Sequence, residues 1–243
     1  MKLRGRLVRV GEVTRGQRDT MFALMRDHYE NVRRNAFERD LGEKRWVIEL
    51  LSAAGELCGF STQTLVEVCV GARQVTALYS GDTIIAREHW GDSALTHVWG
   101  RLALALMDAT DGELYWFLIS KGYKTYRFLP IFFNEFYPRH DVPTPAGVQA
   151  VLGALGRHKF AGEYDAAAGV VRGGPGKDRL RAGVADLTPQ RLRDPHVAYF
   201  AGRNPGHARG DELCCLAPLT RANFTAAAWR VIGPEPAALE VCG

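Results

Sequence analysis

The chain has 243 residues, 47% of them hydrophobic and 24% charged, with a net charge of +4. This length can bury roughly 70–75% of the unfolded surface in a sizeable core, and the composition is that of a globular protein. No charge-free apolar run approaches 20 residues, which excludes a membrane-spanning helix. The opening "MKLRGRLVRV" lacks the apolar block of a signal peptide, so a cytoplasmic protein is expected.

Five cysteines, Cys58, Cys69, Cys214, Cys215 and Cys242, follow neither a disulfide framework nor a CxxC spacing. Cys58, Cys69, Cys214 and Cys215, in apolar strand-like runs, read as small buried hydrophobes, and no metal site is expected.

In chain order, "LRGRLVRV" alternates and predicts a first strand. Thr14 with Gln17 forms a capping box. Phe22, Met25 and Tyr29 then predict a helix running toward Phe37 and ending at Gly42. Three strand-like runs follow, "RWVIELLS", "ELCGFSTQTLVEV" and "RQVTALYSGDTIIA". Their short connections predict an antiparallel meander. "DSALTHVWGRLALALMDA" reads as a helix capped by Asp92 or Ser93, with an apolar stripe from Leu95 to Leu106. "ELYWFLIS" is the pattern of a central strand buried on both faces. The run "TYRFLPIFFNEFYPR" then predicts an aromatic helix stopped at Pro138.

Thr144-Pro145 opens a helix to about Lys159, and residues 161–183 read as loop with a short strand at "AGVVR". "HVAYFAG" and "DELCCLAPL" predict a late hairpin, and a last helix follows Thr220. The tail "GPEPAALEVCG" is expected to be loose. "VVRGGPGKD" looks like a phosphate-binding loop, but Val171 replaces its first glycine and Asp178 its Ser/Thr, so it reads as a flexible loop. The result is one α+β domain with a mixed, mostly antiparallel sheet flanked by helices. Its core spans residues 1–140, a helical and loop segment 141–195, and a closing hairpin and helix 196–243.

This order resembles the GNAT superfamily of acyl-CoA-dependent N-acyltransferases, in particular the long-chain N-acyl amino acid synthases and acyl-homoserine lactone synthases. In that fold a bulged strand leads through a phosphate-binding turn into a helix, and the next strand splays away to admit an acyl thioester. The resemblance carries "TALYSGDTIIAREHWGDSALTHVWGRLALAL" onto strand, turn and helix, and "LYWFLIS" onto the splayed strand. It implies a donor-binding set of Ile85, Ala86, Arg87, Gly91, Ser93 and Ala94; Lys121 and Lys124, in the turn after "LYWFLIS", suit a phosphate or a carrier's acidic face, or else a solvated turn. The carbonyl-binding N–H is expected near Ile84–Ala86. The second glycine of the turn is absent, and Asp92 stands where a phosphate would lie. The donor is therefore expected to be acyl-CoA or an acyl-phosphopantetheine carried by an acyl carrier protein.

Ten of the 24 aromatic residues fall between Tyr115 and Tyr137. That crowding predicts either core packing or an acyl-chain pocket of Tyr115, Phe117, Phe128, Phe132, Phe133 and Phe136. Aminolysis of a thioester needs a base, an oxyanion donor and a proton for the leaving thiolate. The resemblance makes Tyr137 the acid. Glu67, Asp82 and His89 are the base candidates, each equally readable as a solvated or capping residue, and His207 is a further one. The expected activity is transfer of a medium or long acyl chain to an amine such as an amino acid or peptide. The alternative is a catalytically silent module that binds an acyl carrier or lipid. Basic residues Arg172, Lys177, Arg179, Arg181, Arg191 and Arg193 suit a solvated loop or an anionic partner. No nucleic-acid reader motif is present.

Overall fold

A computed structural model describes residues 2–233; Cys242 and the tail expected to be loose, from residue 234 on, lie outside them. Ten strands form, in chain order: β1 (Arg4–Arg9), β2 (Tyr29–Glu30), β3 (Trp46–Leu51), β4 (Leu57–Val70), β5 (Arg73–Ile85), β6 (Glu113–Ser120), β7 (Tyr164–Asp165), β8 (Val170–Val171), β9 (Arg179–Leu180) and β10 (Glu212–Pro218). The helices are α1 (Arg15–His28), α2 (Arg34–Gly42), α3 (Ala94–Ala109), α4 (Tyr123–Tyr126), α5 (Phe128–Phe132), α6 (Ala146–Phe160), α7 (Pro195–Arg203) and α8 (Ala226–Ile232).

Eight strands make one sheet in the order β1-β3-β4-β5-β6-β10-β8-β7. Every pairing in it is antiparallel except β5 with β6. Alternation of side chains along these strands separates two cores. On one face Leu78, Trp116, Leu118, Leu213 and Cys215 pack under α3, α7 and α8. On the other, Val75, Ala77, Tyr79, Phe117 and Cys214 pack under α6. This is the α+β, mostly antiparallel architecture expected from the sequence. The segment after residue 141 contributes β7 and β8 to the same sheet.

Three local expectations are corrected. The first helix does not run on to Phe37. It stops at His28, and Asn31 adopts φ +61°, a left-handed conformation that asparagine tolerates. The break lets Tyr29 and Glu30 pair with Leu180 and Arg179 in a second, two-stranded sheet. The aromatic helix before Pro138 is only two short turns, α4 and α5. Beyond Phe132 the chain is extended, and Phe133 and Tyr137 bridge to Phe224 and Leu216. The late hairpin does not form either. "HVAYFAG" lies in α7, whose first turn is fixed by Pro195 and by the Asp194 carboxylate accepting from His196 N. β10 pairs with β6 and β8 instead.

Candidate active site

The parallel pairing of β5 and β6 runs from Val75↔Glu113 to Ser80↔Leu118 and stops there, while β5 continues to Ile85. At the same point the β4–β5 ladder slips. Ser61 faces Thr83 and Gln63 faces Ser80, so Gly81 and Asp82 together stand opposite Thr62. That is a β-bulge, which bends its strand and takes its own backbone out of the ladder. Glycine is required here by close approach. A Cβ at Gly81 would lie 2.6 Å from Thr62 Oγ1 and 2.8 Å from Lys44 Cε.

The diverging strands open a cleft of about 850 Å³, walled by the bulge, the α1–α2 region, the end of β6, the entry to α3, and α5. One limb is polar. Lys121 is paired with Asp178 and lies 3.4 Å from Glu212, with its ammonium 5.4 Å from the centre of the Tyr29 ring. Lys44, its side chain buried, reaches Asp40 at 2.5 Å. Lys177 bridges Glu163 at 2.8 Å and Glu212 at 3.7 Å. The other limb is apolar, walled by Phe128, Ile131 and Phe132. A pocket of about 50 Å³ adjoins it, with Trp99 and Trp116 among its walls.

Asp82 sits between the limbs. Burial raises its carboxyl to about 7, helped by the charge of Asp40; Lys121 and Lys44 pull the other way without cancelling it. Among the described residues no hydrogen bond reaches its carboxylate. Burial alone would lower Lys121, but the carboxylates of Glu212 and Asp178 outweigh it and hold the ammonium above its ordinary value. Burial likewise raises Glu212 and the Tyr29 phenol. The limb thus combines a near-neutral carboxyl with a fixed ammonium and a protonated phenol, a set able to accept and stabilise a proton.

The remaining predicted residues divide. Glu67 is exposed on β4, takes a hydrogen bond from Gln74 at 3.4 Å, and lies outside the cleft. His89 is on the 3-10 turn Arg87–His89, also outside the cleft wall. His207 contacts Asn204 O at 2.9 Å in a turn. Tyr137 is 8% exposed and tied by its backbone to Leu216, so its hydroxyl does not enter the cleft. The bulge lies at Gly81–Asp82 rather than Ile84–Ala86. Ile84 and Ile85 are paired with β4, and Ala86 N–H is donated to Cys58 O at 2.8 Å.

At the start of α3, Gly91 and Ser93 line the cleft. The Ala94 N–H is taken by Asp92 Oδ1 at 2.7 Å, and Asp92 Oδ2 accepts from Leu3 N–H at 2.9 Å. A carboxylate therefore fills the anion position of this helix terminus. Lys121 is inside the cleft; Lys124 is at its mouth, 3.4 Å from the centre of the Trp90 ring. Of the predicted apolar pocket, Phe128 and Phe132 line the cleft and Phe133 lines the small pocket. Phe117 packs on Tyr79 and Phe160, Tyr115 donates its hydroxyl to Glu113, and Phe136 is buried against Tyr126. Phe117 and Phe136 are core, and Tyr115 is a half-buried residue at its edge.

Sequence reasoning missed Tyr29, Asp40, Asp178 and Glu212 as cleft residues. The available signal was Asn31, a left-handed former inside an apparent helix. The pairing it permits brings the segment around Asp178 to the cleft. Among the described residues no group of three or more His, Cys, Asp or Glu side chains is placed to hold a metal, and no helix is long and apolar enough to cross a membrane.

No family profile and no curated protein matches the sequence. Solved structures similar to it include a probable N-acyltransferase of unknown function from Enterococcus faecalis, at 16% identity and TM-score 0.41 over 54% of this chain and 33% of that one. Others are a GNAT family N-acetyltransferase from Escherichia coli in complex with CoA (13%, TM-score 0.38, 53% and 69%) and an aminoglycoside acetyltransferase from an uncultured soil metagenomic sample (16%, TM-score 0.40, 60% and 100%). The chain spans about one-third of the length of the first of these.

Proposed function

We propose that this chain is an N-acyltransferase of the GNAT type, moving an acyl group from a thioester to an amine. The observation that carries this reading is Asp82, raised to about 7, on a bulge beside a splayed parallel strand pair. It lies where a polar limb meets an apolar one.

The chemistry follows from that placement. An acceptor ammonium entering the polar limb gives a proton to the Asp82 carboxylate. A base that titrates near neutrality is efficient because it is both available and strong enough. The freed amine attacks the thioester carbonyl and the C–S bond breaks. The developing oxyanion is served by backbone N–H groups at the bulge, and the thiolate takes up a proton as it leaves. With Tyr137 outside the cleft, the proton for the thiolate is the second one shed by the attacking nitrogen as it becomes an amide; the Tyr29 phenol, which burial keeps protonated, is a hydrogen-bond donor rather than the acid. Phe128 and Phe132 suit a medium or long acyl chain, which needs a wall that excludes water. The acceptor class is a small amine, such as an amino acid or peptide terminus.

The Asp92 carboxylate disfavours a pyrophosphate at the α3 terminus, so the donor is an acyl-phosphopantetheine on a carrier or an acyl-CoA seated differently. The same residue supports a second reading, a silent module that holds an acyl carrier or lipid. The two separate when purified protein is incubated with acyl-CoA and acyl-carrier donors and pooled amino acids. Free-thiol release together with an N-acyl product, both lost in Asp82→Asn, supports the enzyme. Donor binding without thiol release supports the silent module.

A further inference from the structure

The outer mouth of the cleft holds cations that lack carboxylate partners. Lys124 lies over the Trp90 indole at 3.4 Å, and the Arg87 guanidinium lies 5.3 Å from the centre of the same ring. Trp90 is fixed by its own Nε1–H donating to Ile85 O at 2.9 Å, yet it remains 40% exposed. A large, half-exposed indole clamped at a cleft entrance is an unusual use of apolar surface. Arg87 is drawn toward the loop after β9 by a bond from Nη1 to Gly183 O at 3.1 Å. Arg191, from the 3-10 turn Arg191–Arg193, lies near enough for its charge to act on Lys124.

These charges work against one another. Partial desolvation against Trp90 lowers Lys124, and the nearby charges of Arg191 and Arg87 lower it further, with Asp186 opposing. Both Asp186 oxygens already accept from Gly183 N–H, at 2.8 and 2.9 Å. Among the described residues, neither Lys124 nor Arg191 has an ion-pair partner. Three cations with one committed carboxylate is a local surplus of positive charge beside an apolar face. Two residues beyond Trp90, Asp92 has closed the helix terminus to anions.

We propose that Arg87 and Lys124, both over the Trp90 ring, together with Arg191, whose charge reaches Lys124, form the seat for a phosphate group on the donor, displaced from the start of α3 to the cleft mouth. The segment 183–191 thereby gains a role, since it supplies Arg191 and positions Arg87 through Gly183. Guanidinium forks and an ammonium match the geometry and charge of a phosphate dianion. Trp90 offers a flat surface to whatever the phosphate carries. The site deepens the proposed function, on which it rests for the identity of the ligand. The shared chemistry is a phosphopantetheine phosphate, whether attached to a carrier serine or to the nucleotide of CoA.

The test is calorimetric binding to the whole chain of four probes: pantetheine, 4′-phosphopantetheine, CoA and inorganic pyrophosphate. The phosphate-bearing thiols are expected to bind at least about tenfold more tightly than pantetheine, as charge-assisted bonds require. Lys124→Ala and Arg191→Ala should erase most of that preference and leave pantetheine binding unchanged. Arg191→Glu should reverse it. All three side chains are exposed, so unchanged melting temperatures serve as the folding control. CoA binding no tighter than 4′-phosphopantetheine supports the site with a carrier-borne phosphate; tighter CoA binding supports it with the nucleotide. The site is overturned if phosphate gives no preference, or if the preference survives both alanine variants. Pyrophosphate binding that depends on Arg191 upholds the site even if no acyl transfer occurs, so its failure and that of the acyltransferase reading are told apart.

Discussion

Two aspartates ten residues apart line one cleft and have opposite fates. Asp92, at the start of α3, gives its oxygens to the backbone N–H groups of Leu3 and Ala94. Asp82, on the β5 bulge, receives no such bond and is half-buried; its desolvation, with the charge of Asp40, lifts it to about 7. The first is a structural fixture and the second a carboxyl poised near neutrality. Residue type is the same, so the difference comes from the backbone each faces. A helix start offers N–H donors, whereas a bulge beside a strand edge offers a half-dry gap.

The sharpest way to break that comparison is to neutralise the reactive partner. Asp82→Asn is expected to lower the acyl-transfer rate by about 10²–10⁴, the usual contribution of a general base. Its stability effect has the opposite sign. Below about pH 4 the carboxyl is protonated both folded and unfolded, and contributes nothing. Between about 4 and 7 the folded chain holds a proton that the unfolded chain has released, so stability falls as pH rises. Above about 7 the cost is complete. Removing the charge should therefore stabilise the protein at pH 8 by roughly 1–3 kcal/mol and leave it unchanged at pH 4, read by urea denaturation at both pH values.

Next is Lys121→Met. It leaves Asp178 and Glu212 facing each other without their shared ammonium. Breaking such a buried set from one side costs about 3–5 kcal/mol, and the loss should shrink at low pH as the carboxyls protonate. Gly81→Ala forces a methyl against Thr62 and the Lys44 stem and should cost about 1–3 kcal/mol; thermal unfolding measures it. The smallest effect is at the fixture. Asp92→Ala removes a helix cap worth about 1 kcal/mol, with no change in the pH dependence of any measured rate.

The meander, the buried strand and α3 were legible because period-2 and period-3.6 patterns are local. The register slip between Ser61 and Gln63 was not, since a bulge depends on the partner strand. The segment from Phe133 to Tyr137 read as helix because its rings recur at helical spacing. Its extended form is set by pairing with Phe224 and Leu216, some 80–90 residues distant. α7 announced itself by Asp194-Pro195, a helix-start signal outweighed by the strand-like "HVAYFAG". Asp82 was named beside Glu67 and His89 without a way to rank them. What ranks them is burial and the nearness of Asp40, Lys121 and Asp178, none of which the chain order reveals.

Asp82 is the proposed base in the gap between β5 and β6. Its most direct test is the pH dependence of kcat/KM for thiol release in the presence of an amine acceptor, for the unsubstituted protein and Asp82→Asn. The predicted result is an acid limb with a midpoint near 7 that vanishes in the variant along with most of the rate. An unchanged rate in Asp82→Asn, or the same acid limb in both proteins, would contradict it.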